Sequence, residues 1–362
     1  MSGAFPRVWG RFRPPISWFP GHMRKATNDV QGLVKQCDLL IEVRDARVPV
    51  SSVNPTMEAL PMRRLVVYNK LDLSDAAASA HLAQQSEHRG DGGDALFMSA
   101  TSDASPVVKW LLREAAQARF KSAGSLVMVV GMPNVGKSTL INAVGSHLAW
   151  QSSSSSSSSS SKSVKQRPAR RPRPGGGQSS GKSHKHMARV GAQPGVTRQT
   201  SSLLVCESPV VRLLDTPGIM TPKISSTEVG LRLALTGAIK DSIVGEEILV
   251  EYLIHLFQSH GLLDSLHQLV AGRGGRNSGA HTHASAVAAA SSVVAVSGDA
   301  TTHTPPPEHP LRDVDDVVDL VEHISGSAGK HDEERTRRAC AYVLARWRAG
   351  DLGRYTLDHV YG

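Results

Sequence analysis

The nine residues Gly131-Met132-Pro133-Asn134-Val135-Gly136-Lys137-Ser138-Thr139 constrain this chain more than any other stretch. An apolar run at 126–130 precedes them, and Leu140, Ile141, Ala143 and Val144 follow at positions that suit a helix packed on a sheet. The order strand, glycine loop, helix turns consecutive backbone N–H groups toward a phosphate, and the helix N-terminus adds its positive dipole. In the spacing GxxxxGK[ST], Lys137 reaches the β- and γ-phosphates of a nucleoside triphosphate, and the Ser138 hydroxyl can ligate Mg²⁺. Asn134, Val135, Gly136 and Thr139 belong to the same cradle. The loop alone leaves the base open.

Three further segments bear on the base and the chemistry. Asp215-Thr216-Pro217-Gly218 follows the apolar residues 210–214, so it lies at a strand end. There Asp215 can hold Mg²⁺ through water, and the Gly218 N–H can sense the γ-phosphate. Asn69-Lys70-Leu71-Asp72 follows 65–68. A carboxylate at Asp72 can accept from both N1–H and the exocyclic amine of guanine, which adenine cannot offer. Ser99-Ala100 follows 95–98 and suits a backbone N–H directed at guanine O6. Each motif is short, but all three stand after an apolar β-type run, and together they select a guanine nucleotide.

Their order is unusual. Asn69 to Asp72 and Ser99-Ala100 precede the phosphate loop, and Thr197 and Asp215 follow it, whereas a Ras-like GTPase places its phosphate loop first. The chain resembles a circularly permuted GTPase. Trp18-Phe19-Pro20-Gly21-His22-Met23, Asp45-Ala46-Arg47-Val48-Pro49 and Pro194-Gly195-Val196-Thr197-Arg198 are similar to the YlqF/RbgA family, whose organelle members are the mitochondrial ribosome-associated GTPases. The resemblance spans residues 17–149 and 187–257 and returns faintly at 352–358. It implies a P-loop GTPase fold of the α/β class in permuted order, followed by a smaller all-α C-terminal domain.

The resemblance also implies roles. Thr197 joins Ser138 as a Mg²⁺ ligand. The position after Asp-Thr-Pro-Gly is Ile219, where Ras-type enzymes place a water-orienting Gln, so intrinsic hydrolysis is expected to be slow. His22 is the candidate for supplying that function, the alternative being a loop histidine or a substrate contact. Asn134 matches a P-loop Asn that coordinates K⁺ in related GTPases, the alternative being a turn residue. The implied partners are GTP and GDP, and the large ribosomal subunit of an organelle with its rRNA. The implied location is the mitochondrial matrix, with peripheral contact to the inner membrane open, or a plastid. A GTP-gated ribosome regulator with negligible turnover is the alternative function, and a P-loop ATPase or kinase a third.

Composition sets the remaining bounds. The 362 residues carry a formal net charge of +9, and residues 151–190 hold nine basic residues and no acidic one. The excess therefore lives in one segment, either an RNA tether or a passive low-complexity expansion. Residues 151–187, rich in Ser, Arg, Pro and Gly, and 272–307, rich in Gly, Ala and Ser, lack the apolar surface to offset ordering entropy and are expected to be disordered inserts. Residues 1–16 read as a transit peptide or a basic arm. The domains expected are a GTPase unit over 17–227 and a helical unit over 228–362, with helices near 246–257, 312–324 and 333–349. No window approaches the roughly 18 apolar residues that a membrane span needs. Cys37, Cys206 and Cys340 have neither zinc nor disulfide spacing.

Overall fold

The computed structural model describes residues 30, 32–88, 94–117, 124–156, 201–221, 224–259, 333–358 and 360. His22, Thr197, most of the two inserts and the helix expected at 312–324 lie outside these residues.

Six strands form one sheet: β1 (Leu39–Asp45), β2 (Arg64–Asn69), β3 (Asp94–Phe97), β4 (Ser125–Gly131), β5 (Ser201–Glu207) and β6 (Val210–Asp215). Their spatial order is β3-β2-β1-β4-β6-β5, parallel throughout except for β5 against β6. The strand that feeds the phosphate loop, β4, is thus central although it is fourth in the chain, and the strands carrying the guanine motifs lie to one side. β1 and β4 are apolar for most of their length and almost wholly buried, as strands covered on both faces must be. β5 and β6 form a hairpin, turned at Ser208-Pro209, with a bulge between Leu204 and Cys206. β5 is the edge strand and mostly exposed.

The helices are α1 (Pro55–Glu58), α2 (Ala76–His88), α3 (Ser105–Gln117), α4 (Lys137–Ser156), α5 (Thr227–Leu235), α6 (Asp241–Val244), α7 (Glu246–Ser259) and α8 (Glu333–Ala349). α3 buries Val107, Val108, Trp110, Leu111 and Ala115, the i, i+3, i+4 stripe of an amphipathic helix. α4 runs on to Ser156 instead of ending near 151. Once a helix is nucleated, each added residue brings one backbone hydrogen bond, so a serine run can extend a packed helix although it cannot start one.

One contiguous core joins the sheet face bearing Ile41, Val43, Val127 and Val129 to Leu231, Tyr252, Leu253, Val343 and Trp347 of the C-terminal helices. Phe257, Trp347 and Tyr355 close that end, with ring centroids 5.4 to 6.1 Å apart. The opposite face carries a smaller core of Leu40, Met57, Met128, Val130 and Ile219. Burial pushes the Cys37 thiol up to about 11 and the Cys340 thiol up to about 12, so neither is a reactive thiolate.

Candidate functional site

Asp45, Asn69, Gly131 and Asp215 end the parallel strands β1, β2, β4 and β6, and the registers Asp45↔Asn69, Val43↔Gly131 and Val129↔Asp215 bring them to one rim. The loops leaving this rim build the site. Gly131 takes φ 149° and Gly136 φ 99°. A Cβ on Gly131 would sit 2.2 Å from the Val43 carbonyl oxygen, and one on Gly136 would sit 2.3 Å from Asn69 Nδ2. Both glycines are required by close approach as well as by conformation.

Lys137 opens α4 and folds back over its own loop, donating to the Gly131 oxygen at 3.1 Å and the Met132 oxygen at 2.8 Å. Burial lowers its pKa to about 8, with Asp215 opposing that fall and Lys70 adding to it. The next residue, Ser138, donates from Oγ to Asp215 Oδ2 at 3.0 Å. Among the described residues, Asp215 Oδ1 is buried with no hydrogen-bond partner. Burial raises the Asp215 pKa, against the opposing effects of Ser138 and Lys137. A hydroxyl bound to a carboxylate, beside a buried unpaired oxygen, is a hard-oxygen donor set, and it fits Mg²⁺. Thr216 is fixed by Oγ1 donating to the Val129 oxygen at 2.7 Å. Gly218 lies against the phosphate loop, where a Cβ would meet Pro133 Cα at 2.6 Å. Ile219 is 1% exposed in the smaller core, and its N–H donates to the Gly131 oxygen at 3.1 Å. Its side chain is withdrawn from any water at the phosphate end.

The guanine motif divides its labour. Asn69 is buried and acts as a strut: Nδ2 donates to the Val135 oxygen at 2.8 Å, and Oδ1 accepts from the Ala100 N–H at 2.8 Å. One side chain therefore joins three loops. The Ala100 N–H, expected to face guanine O6, is not a free donor, because an amide acceptor at a strand end can reach it across the rim. Ser99 Oγ pairs with Thr101 Oγ1 at 2.9 Å. Lys70 adopts φ 63°, uncommon for a residue other than glycine, and donates from Nζ to the Asn134 oxygen at 2.6 Å and to Asp45 Oδ2 at 2.9 Å. Asp72 follows in a short 3₁₀ turn, Leu71–Leu73, and is exposed at the rim.

Asp45 also holds Arg47 in a two-pronged pair, with Nε to Oδ1 at 3.0 Å and Nη2 to Oδ2 at 2.8 Å. Burial alone would raise the Asp45 pKa, but Arg47 and Lys70 more than offset it and hold the carboxyl well below the usual range. In the sequence, residues 45–49 mark a family-like motif alone; the Asp-x-Arg spacing at the end of a buried strand is the signal by which the Asp45–Arg47 pair can be found. Asn54, which the motifs did not single out, donates from Nδ2 to the Ile219 oxygen at 3.2 Å and caps α1 through Thr56 N–H.

The C-terminal helices reach the same rim. The four carbonyls that end α5 are taken by three side chains: Ala234 and Leu235 by Arg348 of α8 at 2.9 and 3.0 Å, Thr236 by Arg47 at 3.4 Å, and Gly237 by Asn134 Nδ2 at 2.8 Å. Arg348 is itself paired with Asp241. Asn134 sits at φ 58° and thus carries a side-chain link from the phosphate loop to the helical part.

The sequence that builds this site has relatives among known proteins. A family model described as "50S ribosome-binding GTPase" matches residues 126–165. Mitochondrial ribosome-associated GTPase 1 of Mus musculus is 37% identical over 280 residues, covering 71% of this chain and 75% of that protein. Short integuments 2, mitochondrial, of Arabidopsis thaliana is 33% identical over 248 residues, covering 68% of this chain and 57% of that protein. Ribosome biogenesis GTPase A of Bacillus pumilus is 32% identical over 247 residues, covering 66% and 73%. With a phosphate loop on a central strand, a guanine motif placed ahead of it and this extent of identity, the chain belongs to the circularly permuted GTPase family of mitochondrial ribosome-associated GTPase 1 and ribosome biogenesis GTPase A.

Proposed function

We propose that this protein hydrolyses GTP with Mg²⁺ as an assembly factor for the large subunit of the mitochondrial ribosome, working in the matrix. GTP hydrolysis goes with the family. The mitochondrial names of its animal and plant relatives favour the mitochondrion over a plastid. The observation that carries the chemistry is the meeting of Lys137, the Ser138–Asp215 pair and the Asn69 to Asp72 loop at one rim of the sheet.

In this reading Lys137 takes the β- and γ-phosphates, and Ser138 and Thr197 ligate Mg²⁺, with Asp215 acting through its water. Gly218 N–H reads the γ-phosphate, and Asp72 reads the base. Bound Mg²⁺ supplies charge neutralisation as negative charge develops on the phosphate oxygens. An O6 contact from Ala100 shares its N–H with Asn69 or displaces it. Because Ile219 is buried, water is oriented from elsewhere, with His22 as the candidate, and Asn134 would hold a K⁺ that would supply positive charge beside the phosphates. The chain divides into the GTPase unit of 17–227 and the helical unit of 228–362, and the helical unit and basic surfaces bind rRNA, with the basic 151–187 segment either an RNA tether or a passive low-complexity expansion. Contact with the inner membrane is peripheral; among the described residues no helix is long and apolar enough to cross a membrane.

The test is the GTPase rate with and without isolated mitochondrial large subunits, with ATP as a competitor. Stimulation by the subunit and indifference to ATP are expected. An unstimulated rate would move the reading to a GTP-gated binding protein, and ATP competition would remove guanine selectivity.

A further inference from the structure

The turn that carries Asp72 is closed by the Leu73 N–H to the Lys70 oxygen at 3.0 Å and by the Ser74 N–H and Oγ to the Leu71 oxygen at 3.3 and 3.1 Å. Lys70 stands at its N-cap with no side-chain capping bond, and the 3₁₀ segment is three residues long. From the sheet side it is fastened by the Leu71 N–H to the Met98 oxygen at 3.2 Å. A bidentate acceptor needs tighter control than this, because both carboxylate oxygens must meet two donors fixed on one ring, within about 0.5 Å and 10–20° of the productive geometry.

Further support comes from the far end of the chain. Tyr355 N–H donates to the Leu73 oxygen at 3.2 Å, and Thr356 Oγ1 accepts from the Asp75 N–H at 3.3 Å. Gly350 packs so close that a Cβ there would lie 2.5 Å from Leu73 Cδ2. The same tail is pinned on both sides of these contacts. Tyr355 stacks in the aromatic cluster with Trp347 and Phe257. Leu357 N–H donates to the Arg47 oxygen at 2.7 Å. Buried Asp358 accepts from the Val50 and Ser51 N–H groups, each at 2.7 Å, and from Arg232 at 3.3 Å.

We infer that residues 350–358 are a positioning element for guanine specificity: they fix the Leu71–Asp75 turn from behind, so that the Asp72 carboxylate meets both base donors at once. The inference rests on the proposed assignment of Asp72 to the base. Because the tail is continuous with α8 and pinned against α7, the helical part of the protein sets the selectivity of a site that it does not touch through substrate.

A fold-stabilising tail and a specificity-positioning tail differ in what they do to two related nucleotides. IDP lacks the exocyclic amine, so wild type should prefer GDP by about 10-fold or more, the worth of one hydrogen bond to a charged group. In full-length Thr356→Val and Asp358→Asn, that preference should fall at least threefold, with IDP affinity changed by less than twofold. Thr356→Ser, which keeps the acceptor, should restore the wild-type ratio. Equal losses for GDP and IDP, or unchanged ratios in both variants, would overturn the inference and leave the tail a stabilising element alone. The Asp72→Asn variant separates the premise from the conclusion: if it leaves the GDP-to-IDP ratio untouched, the base assignment fails, and the inference falls with it.

Discussion

Asn134 donates its side-chain amide to the Gly237 carbonyl at 2.8 Å and so links the phosphate loop to the turn that ends α5. That bond orients an amide whose other end is the proposed K⁺ ligand. Asn134→Ala should abolish any difference in turnover between K⁺ and Na⁺ buffers while nucleotide still binds, a loss of about 10-fold or more if the cation does part of an arginine finger's work. A rate that stays K⁺-dependent in the variant would place the cation elsewhere.

Asp72→Asn removes a double acceptor and sets an amide donor against guanine donors. GTP affinity should fall by about 1.5–3 kcal/mol for each bond lost, while xanthosine triphosphate gains. Equilibrium titration with the two triphosphates reads the exchange directly.

The Lys137 ammonium is lowered to about 8 by burial, and Lys70 is pushed in the same direction by its own burial. Phosphate binding favours the charged form, so it takes up a proton where Lys137 is neutral. GDP affinity should therefore weaken above pH 8, by at most about 10-fold per pH unit for one linked proton. Lys137→Ala should bind poorly at every pH and show a shallower slope. For stability the sign is opposite: between pH 8 and the ordinary lysine value the unfolded chain binds the extra proton, so this group favours the fold increasingly as pH rises.

Asp45→Asn should cost about 3–5 kcal/mol, because Arg47 is left buried against a neutral amide. Chemical denaturation measures it, and the double variant Asp45→Asn/Arg47→Met should recover part of the loss. Asp45 also contributes to acid sensitivity. Its folded pKa is depressed, so its contribution is complete above the unfolded carboxylate value near 4 and is lost as pH falls below it.

His22→Ala should leave GDP and GTP affinity intact while ribosome-stimulated turnover drops, by about 10²-fold on the scale of a positioned catalytic group. Stimulated rates equal to wild type would take His22 out of the chemistry.

The parts of this site that can be read from sequence are those where local pattern and chemistry coincide. β2, β3, β4 and β6 each announce themselves as an apolar run ending in a motif, and Gly131 and Lys137 have few other uses at that spacing. Asn69 shows where such reading stops. Its motif points to the base, yet its amide serves Val135 and Ala100, contacts made by chain segments 66 and 31 positions away. The same holds for Asp358, whose partners Val50 and Ser51 lie some 300 residues upstream. An Asp in a polar tail carries no local mark of a carboxylate that will cap a distant loop, because the backbone donors it satisfies exist only after the sheet has closed.

The permuted strand order has a temporal consequence. Made from the N-terminus, β1, β2 and β3 can pair as soon as they appear, but the β1 edge that faces β4 stays bare until Gly131 has been added. At about 5–20 residues per second, the 86 positions from Asp45 to Gly131 correspond to about 4–17 s of synthesis. During that interval the Asn69–Asp72 segment exists without the Gly131–Thr139 loop, and an apolar strand edge is open to any other extended chain nearby. The nascent protein is thus most exposed to misassociation before it can gain any protection from nucleotide.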